Sequence, residues 1–409
     1  MSDQKKRIPI PKIFTESRYE TQTEMLQLQR KPNTLFIGIP KETTLQEHRV
    51  ALVPSAVATL IKHGHRVVVE TDAGVQSNYS DHDYSEVGAD IAYSKEQVFK
   101  SDILIKVAPP TLAEIDLLRP NQILFSPLHL PIITADFITK LKQKRVIALA
   151  MEYIKDEIGS FPVVRIMSEM AGLSAMLTAA ELLSNTRGGK GVLLGGISGV
   201  PSAKVVILGA GVVAEFATRV ALGLGADVRV FDNNIYKLMR LQNQVGRQLN
   251  TSSLNPIQLE KELKTADVTI GAIHSESGRT PIIVSEDTVA KMKPGSVIID
   301  VSIDQGGCFA TSEVTSHDAP TFVKHDIIHY CVPNIASKVA RTASIAVSNI
   351  LTPILLKAGN LGSIERLINE DTGLRNGVYT YKGCLTNEYL GERFQIKFTA
   401  LDLLITSNL

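Results

Sequence analysis

The chain has 409 residues, of which 44% are hydrophobic and 21% are charged. This length and composition predict a soluble globular protein of two or three domains with substantial cores. The 43 Lys and Arg residues nearly balance the 42 Asp and Glu residues, which argues against nucleic acid or a membrane surface as the partner.

The three cysteines, Cys308, Cys331 and Cys384, are an odd number and lack CxxC spacing. They therefore predict neither a disulfide framework nor a structural zinc site, and they favour a reducing compartment. The N-terminus has no apolar signal-peptide core, so we expect a cytoplasmic protein. Histidines and acidic residues are scattered rather than grouped at ligand spacing, so no metal site is predicted.

The polar segment 1–33, rich in Gln, Lys and Arg, is expected to be a tail or an arm packed on another subunit. From Leu35 onward, strand-like and helix-like patterns alternate. The strand-like segments are LFIGIP, RVVVE, ILIKV, QILFSP and VIALA. They predict one α/β layer of about 130 residues, followed by a long helical segment over 168–183.

The run from Lys204 to Asp232 predicts a bound dinucleotide. An apolar strand leads into Gly209, which permits a sharp turn, and Gly211 has no side chain to obstruct a pyrophosphate. The helix that follows directs its unpaired N–H groups at the phosphates, and Ala214 keeps its first turn close to the sheet.

Asp232 lies 23 residues beyond Gly209, at the tip of the second strand of this unit. A carboxylate there accepts hydrogen bonds from both ribose hydroxyls of NAD and repels the 2′-phosphate of NADP, although Lys237 and Arg240 nearby weaken the preference. Glycines that serve packing alone, or a membrane span, are the alternative interpretations. The strand, helix and acid at their expected positions favour the dinucleotide.

Further strand-like segments, VTIGAI, VIIDVSID and HYCVPN, continue this fold, which needs six strands from Val205 onward, and the last is expected to end at Asn334. An apolar helical segment follows over 338–357. The predicted fold class is α/β with two doubly wound parallel-sheet domains. A Rossmann NAD-binding domain, 165–337, is inserted within a flavodoxin-like substrate domain made of 34–164 and 338–409.

Three residues past strand ends carry the candidate chemistry, because ligands of open α/β sheets bind at those ends. A guanidinium at Arg49 can hold a carboxylate, with a surface salt bridge to a nearby glutamate as the alternative. His129 can transfer a proton near neutral pH, with a buried structural histidine as the alternative. Asp304, before two glycines, can share that proton, whereas Asp300 is interpreted as structural.

Several motifs occur together in this chain: IGIPKE, EHRVAL, SEMAG, GKGVLLGGISGVP, VILGAGVV, MKPGSVIIDVSIDQGGC and HYCVPN. In combination they resemble alanine dehydrogenase over roughly residues 35–355. The wider family includes the NAD-binding subunit of proton-pumping transhydrogenase. The resemblance implies reversible NAD-dependent oxidative deamination of L-alanine to pyruvate and ammonia, in a homo-oligomer that is usually a hexamer.

The resemblance also implies residue roles. His129 and Asp304 match catalytic positions, and Arg49 matches the arginine that holds the substrate carboxylate, with Asn334 as a second substrate-binding residue. The cofactor-binding set from the glycine turn and the resemblance together is Ser168, Gly209, Gly211, Ala214, Asp232, Lys237, Ile273, Val301, Asp304, Val332, Asn334 and Ile335.

One departure from the family pattern bears on the substrate. The family uses a second lysine in a KVKEP-like segment, and this chain reads KVAPP, with Ala108 in its place. Lys106 lies two residues back, about 7 Å by strand rise. Losing one charge-assisted contact costs roughly 1.5–3 kcal/mol. A smaller departure is Leu254, where the family usually has a serine that contacts the cofactor.

Two alternatives to alanine chemistry stay open because of Ala108. One is an NAD-dependent oxidoreductase for a larger 2-oxo or amino acid, for which Ala108 makes room. The other is a non-catalytic, transhydrogenase-like NAD-binding protein. Assays with a panel of amines and 2-oxo acids distinguish the first alternative from alanine chemistry.

Overall fold

The computed structural model describes residues 34–44, 46–130, 132–275 and 278–406. The predicted N-terminal extension, 1–33, lies outside the described residues. Two β-sheets, each flanked by helices, organise these residues. Both sheets are mostly parallel, and the α/β class follows from this architecture.

The first sheet has eight strands in the order β15-β14-β6-β5-β4-β1-β2-β3. In chain order they are β1 (Phe36–Ile39), β2 (Arg66–Glu70), β3 (Asp90–Ala92), β4 (Ile103–Ile105), β5 (Ile123–Ser126), β6 (Ile147–Ala150), β14 (Val378–Tyr381) and β15 (Cys384–Leu385). Strands β1 to β6 are parallel, and β14 and β15 add an antiparallel edge. The apolar runs that form β4 and β6 are buried at every residue, as expected for strands covered on both faces.

The strand order corrects one detail of the prediction. A flavodoxin-like sheet has the order 2-1-3-4-5, whereas the parallel strands here follow 3-2-1-4-5-6. The difference is β3, three residues that pair with the outer edge of β2. Without β3, the remaining parallel order would be the flavodoxin-like one. So short a strand, with a single buried residue, carries little sequence signal.

Helices cover both faces of the first sheet, and a hydrophobic core lies on each face. Those before the second sheet are α1 (Pro54–Lys62), α2 (Asp81–Glu86), α3 (Lys95–Val98), α4 (Leu112–Leu117) and α5 (Ala135–Gln143). Those after it are α12 (Ile364–Glu370), α13 (Thr372–Arg375), α14 (Glu388–Phe394) and α15 (Leu401–Thr406). The chain therefore returns to the first sheet after it has built the second.

The second sheet has seven strands in the order β12-β13-β11-β10-β7-β8-β9. They are β7 (Lys204–Leu208), β8 (Asp227–Phe231), β9 (Asn250–Ser252), β10 (Val268–Gly271), β11 (Val297–Asp300), β12 (Thr321–Lys324) and β13 (Ile327–Tyr330). Its helices are α7 (Val212–Gly223), α8 (Ile235–Val245), α9 (Pro256–Leu263) and α10 (Glu286–Val289). Six of the strands are parallel in the dinucleotide-binding order 3-2-1-4-5-6, and β12 is an antiparallel addition.

Two strand ends differ from the prediction. Strand β11 ends at Asp300, and Asp304 lies in a 3-10 turn, Val301–Gln305, because the Asp300 side chain caps that turn through the N–H of Ser302. Strand β13 ends at Tyr330, so Asn334 lies in the loop beyond it. Both shifts move the functional side chains out of the sheet and toward the space above it.

Two long helices join the sheets: α6 (Pro162–Leu182) before the second sheet and α11 (Ala340–Leu361) after it. Their apolar stretches are long enough to span a bilayer by length and composition, but 50% and 39% of the most apolar windows are buried against protein. The predicted domain boundary at 164/165 falls within α6. The boundary at 337/338 falls in the 3-10 turn Ile335–Val339, just before α11.

Candidate active site

The turn after β7 has the backbone that a dinucleotide requires. Gly209 has φ of +107°, and a Cβ there would lie 2.4 Å from the carbonyl oxygen of Ala272. Gly211 caps α7, and a Cβ there would meet nothing within 4 Å. Only glycine fits the first position, and the second leaves open space where a pyrophosphate can approach the helix N-terminus.

Close packing of α6 against α7 sets the direction of that helix N-terminus. Ala214 is fully buried in the first turn of α7. Across from it, a Cβ at Gly172 of α6 would lie 2.4 Å from the carbonyl oxygen of Val213. Ala214 was predicted to keep this first turn close to the sheet, and it lies in the same hydrophobic core as Val205 and Ile207 of β7.

Asp232 lies at the tip of β8, directly beside the glycine turn. Its Oδ2 accepts a hydrogen bond from the N–H of Ala210 at 2.8 Å, and its Oδ1 accepts one from the N–H of Asn234 at 2.7 Å. These bonds orient the carboxylate while its other lone pairs stay available to ribose hydroxyls. Lys237 lies one turn away at the start of α8, with its N–H bonded to Asn234.

The other predicted cofactor residues surround the same edge of the second sheet. Ile273 follows β10 and donates its N–H to Ser302 Oγ at 3.0 Å. Val332 and Ile335 are buried beyond β13. Ser168 lies half-buried in α6, and Val301 begins the 3-10 turn after β11. Apart from Ser168, these residues follow strands of the second sheet at their carboxyl ends, on the same edge as the glycine turn.

Asp300 supports the turn that carries Asp304. Its buried carboxylate accepts hydrogen bonds from the N–H groups of Ser302 and Cys308 and from Ser312 Oγ. Burial raises the pKa of Asp300, although these donors oppose the shift. This is the structural role predicted for Asp300, and it sets the path of the backbone toward Asp304.

Arg49 makes a buried ion pair rather than a surface one. Its Nε donates to Glu47 Oε1 at 2.7 Å, and its Nη2 donates to Glu47 Oε2. The side chains of Arg49 and Glu47 are only 10% and 1% exposed. The bonds occupy one edge of the guanidinium. Nη1 donates to Met167 Sδ at 3.0 Å. Nη1 and Nη2 each keep a second N–H, and these two N–H groups can hold a carboxylate.

His129 lies in the loop after β5 in a left-handed conformation, with φ of +49°. Such a backbone is uncommon outside glycine, and here Glu152 supports it. Glu152 Oε1 accepts hydrogen bonds from the N–H groups of Leu128 at 2.7 Å and His129 at 3.3 Å. The position of the imidazole therefore depends on a carboxylate that the sequence alone did not indicate.

The three residues of candidate chemistry, Arg49, His129 and Asp304, are brought together from the two sheets. Burial lowers the pKa of His129 below its usual 6.5, in spite of the attraction of Asp304, and Arg49 lowers it further. Desolvation by the surrounding protein raises the pKa of Asp304. The hydrogen bond from the Asn334 N–H and the positive charges of His129 and Arg49 oppose this shift. Asp304 stays accessible to water from the cleft. A lowered pKa for His129 and a raised pKa for Asp304 bring the two values closer together, as is favourable for two groups that exchange a proton.

Lys106 does not replace the missing lysine. Its Nζ donates to Glu42 Oε2 at 2.8 Å and lies 3.5 Å from Glu114 Oε1. The Lys106 side chain is only 1% exposed, and Ala108 is equally buried. The ammonium is thus held by two carboxylates.

Asn334, predicted to bind substrate and cofactor, links the two sheets. Its N–H donates to Asp304 Oδ1 at 2.9 Å, and its Nδ2 donates to Glu47 Oε2 at 2.8 Å. The prediction did not include Glu47 as a functional residue. Its spacing to Arg49, two residues away in EHRVAL, was the available signal, but the same spacing is typical of a surface salt bridge.

A cavity of about 600 Å³ lies beside the site, between the two sheets. It is bounded by Leu130 and Glu152, next to His129, and by Gln305, next to Asp304. Arg279 and Tyr389 also line it.

The cysteines contribute no reactive thiolate near this site. Cys308 and Cys331 are buried, and burial raises the pKa of both thiols, that of Cys331 to about 12. They act as packing residues, as predicted. Within the described ranges, no three His, Cys, Asp or Glu side chains are grouped to hold a metal ion.

The class of protein follows from how the two sheets meet. A dinucleotide-binding turn on one sheet lies beside a cleft where a histidine of the first sheet and an aspartate of the second come together, as in nicotinamide-dependent dehydrogenases with open α/β sheets.

Comparisons with known proteins place the chain within this class. Models of the alanine dehydrogenase/PNT family match residues 38–171, as its N-terminal domain, and residues 175–388, as its C-terminal domain. Alanine dehydrogenase 2 of Staphylococcus aureus (strain USA300) is 39% identical over 90% of this chain and 98% of its own length. The chain belongs to the alanine dehydrogenase/PNT family.

Solved structures agree with this assignment. An L-alanine dehydrogenase superposes with a TM-score of 0.83 at 37% identity, covering 88% of this chain and 99% of the other. A transhydrogenase from Sinorhizobium meliloti shares the fold, with a TM-score of 0.72 at 22% identity over 86% of this chain and 99% of its own. The predicted family, α/β fold class, NAD-dependent amino-acid dehydrogenase and NAD cofactor are confirmed.

Proposed function

We propose that this protein catalyses the reversible reaction of L-alanine, NAD⁺ and water to pyruvate, ammonium, NADH and a proton. The carrying observation is that His129 and Asp304, from different sheets, come together beside Arg49, close enough for the charges of all three to act on one another. Family membership and the 39% identity to an alanine dehydrogenase support the same reaction.

Four residues of the cleft have separate roles in this reaction. Arg49 binds the substrate carboxylate through its Nη1–Nη2 edge, because Glu47 occupies the other edge. NAD(H), when bound, accepts or supplies the hydride. In the deamination direction, neutral His129 takes the proton released when water adds to the imine, and Asp304 shares it. Asn334 holds Asp304 toward the cleft through its N–H.

We also propose that the cleft closes by movement of the nucleotide domain, 165–337, against the substrate domain, 34–164 with 338–409. The two sheets are joined by α6 and by the turn before α11, so a hinge in these two connections allows closure. Closure excludes bulk water during hydride transfer.

The first test is NADH oxidation with pyruvate and ammonium, run on wild type and on Ala108→Lys. We expect wild type to turn over with a high KM for pyruvate, because one cation holds the carboxylate. Adding a lysine lowers that KM about 10- to 100-fold, the worth of one charge-assisted hydrogen bond. Ala108→Met is the matched control, with similar length and no charge. An equal effect of methionine and lysine contradicts the charge argument.

A larger 2-oxo or amino acid is the second candidate substrate. The cavity of about 600 Å³, which adjoins His129 through Leu130 and Asp304 through Gln305, favours it. Straight-chain, branched and acidic 2-oxo acids in the same assay distinguish the candidates, since a larger substrate would have a higher kcat/KM than pyruvate. NADH binding without turnover of any of them would favour a non-catalytic, transhydrogenase-like role.

We propose further that the chain is cytoplasmic and forms a homo-oligomer, a hexamer as the family resemblance implies. Apolar side chains that a single chain leaves exposed support assembly, namely Leu177 on α6 and Leu193 and Ile197 in the glycine-rich segment after it. Light scattering on the purified protein is expected to give about six times 44.5 kDa. Leu177→Glu is expected to lower the mass, and a 44.5 kDa wild-type species would contradict assembly.

A further inference from the structure

Glu47 is the most highly bonded side chain at the junction of the two sheets. Its carboxylate accepts from the N–H, Nε and Nη2 of Arg49, from Asn334 Nδ2 and from Ser337 Oγ. The side chain is only 1% exposed. Burial alone would raise the pKa of Glu47, but the charge and hydrogen bonds of Arg49 outweigh burial and hold the pKa below its usual value. Glu47 is therefore a carboxylate that faces donors from both sheets.

The bonds of Glu47 form part of a continuous path. Glu47 accepts hydrogen bonds from Arg49 Nε and from Asn334 Nδ2. The N–H of Asn334 in turn donates to Asp304 Oδ1 at 2.9 Å. Asn334 has φ of +56°, a left-handed backbone that needs support from its surroundings. Arg49 and Asn334 Nδ2 both donate to the Glu47 carboxylate, so a shift of the Arg49 guanidinium would move the acceptor of Asn334. The loop around Asn334, which carries predicted cofactor contacts, would shift with it.

Neighbouring bonds hold the same two loops together. The N–H of His48 donates to Ser337 Oγ at 2.8 Å, and Ser337 Oγ lies 3.2 Å from Glu47 Oε1. The N–H of His317 donates to Gln46 Oε1 at 2.7 Å. These bonds hold the loop that carries Arg49 against the loops of the second sheet, with Glu47 at their centre.

We propose that Glu47 is a positioning residue that couples substrate binding to cofactor binding. It holds Arg49 with its free edge toward the cleft and, through Asn334, aligns Asp304 and the cofactor loop. The inference rests on the proposed function, because Arg49 is its carboxylate-binding group. Linkage requires that a substrate carboxylate tighten NADH binding by the same factor by which NADH tightens carboxylate binding.

The test measures the dissociation constant of NADH by fluorescence, with and without saturating oxamate, a non-reactive analogue of pyruvate. We expect oxamate to tighten NADH binding roughly 10-fold in wild type, within the usual range of coupling between sites. In Glu47→Gln, oxamate is expected to tighten NADH binding only about twofold or less. The KM for pyruvate should rise by a larger factor than that by which kcat falls. NADH binding without oxamate changes little. Ser337→Ala removes one hydrogen bond to the Glu47 carboxylate, so oxamate should tighten NADH binding by a factor between those of wild type and Glu47→Gln.

Glu114→Gln is the matched control, since Glu114 is equally buried but pairs with Lys95 and Lys106 rather than Arg49. It is expected to keep the wild-type factor, and thermal melts check that all variants fold. If oxamate tightens NADH binding as much in Glu47→Gln as in wild type, the coupling role of Glu47 is overturned. A wild-type enzyme that turns over pyruvate but shows no effect of oxamate also overturns it. A wild type without turnover of pyruvate refutes the proposed function instead.

Discussion

Replacing His129 by glutamine is expected to lower kcat/KM for pyruvate about 100- to 10,000-fold, the usual contribution of a positioned proton-transfer group. Glutamine keeps a hydrogen-bonding side chain of similar size but cannot carry the proton. NADH oxidation at fixed ammonium measures the effect, and NADH binding should stay within about threefold of wild type. The matched control is His63→Gln at the exposed end of α1. A His129→Gln enzyme with wild-type kcat/KM would refute proton transfer by His129.

The same residue predicts the sign of a pH dependence. In the proposed mechanism the protonated imidazole donates to the carbonyl oxygen of a 2-oxo acid, and burial lowers the pKa of His129 below 6.5. Oxamate affinity in the NADH complex should therefore be highest at low pH and fall as pH rises through a midpoint below 6.5. In His129→Gln this fall should disappear. A wild-type midpoint above 6.5 would contradict desolvation as the dominant influence on His129.

Replacing Arg49 by alanine is expected to reduce both activity and stability. Loss of the carboxylate contact costs about 1.5–3 kcal/mol, so kcat/KM for pyruvate falls roughly 10- to 150-fold. Glu47 then stays buried without its partner, which costs about 3–5 kcal/mol of unfolding free energy. Steady-state kinetics and denaturant unfolding measure the two effects.

Two further variants separate these effects. Arg49→Lys keeps the charge but not the fork of donors, so it should recover more stability than activity. Arg66→Ala removes an exposed arginine whose partner is Asp90, and it should change unfolding free energy by less than about 1 kcal/mol. Equal stability of Arg49→Ala and Arg66→Ala would contradict the buried pair.

The nucleotide turn was predictable because its signals are local. The strand, Gly209, the helix and Asp232 follow one another within 29 residues, and each has a separate backbone or charge requirement. Arg49 and His129 were also predictable as candidates, because both lie beyond strand ends. The short β3 and the capped turn that carries Asp304 were not, since three-residue elements have almost no periodicity.

The sequence by itself determined the fold class, the dinucleotide turn and which side chains lie at the carboxyl edges of the strands. Only the tertiary structure decided their partners: Lys106 with Glu42, which is 64 residues away, and Glu47 with Asn334, which is 287 residues away. Hydrophobic periodicity reports which face of an element is buried. It carries no information on which buried charges meet, because pairing depends on how two sheets approach one another and on the cost of leaving any charge in the interface unpaired.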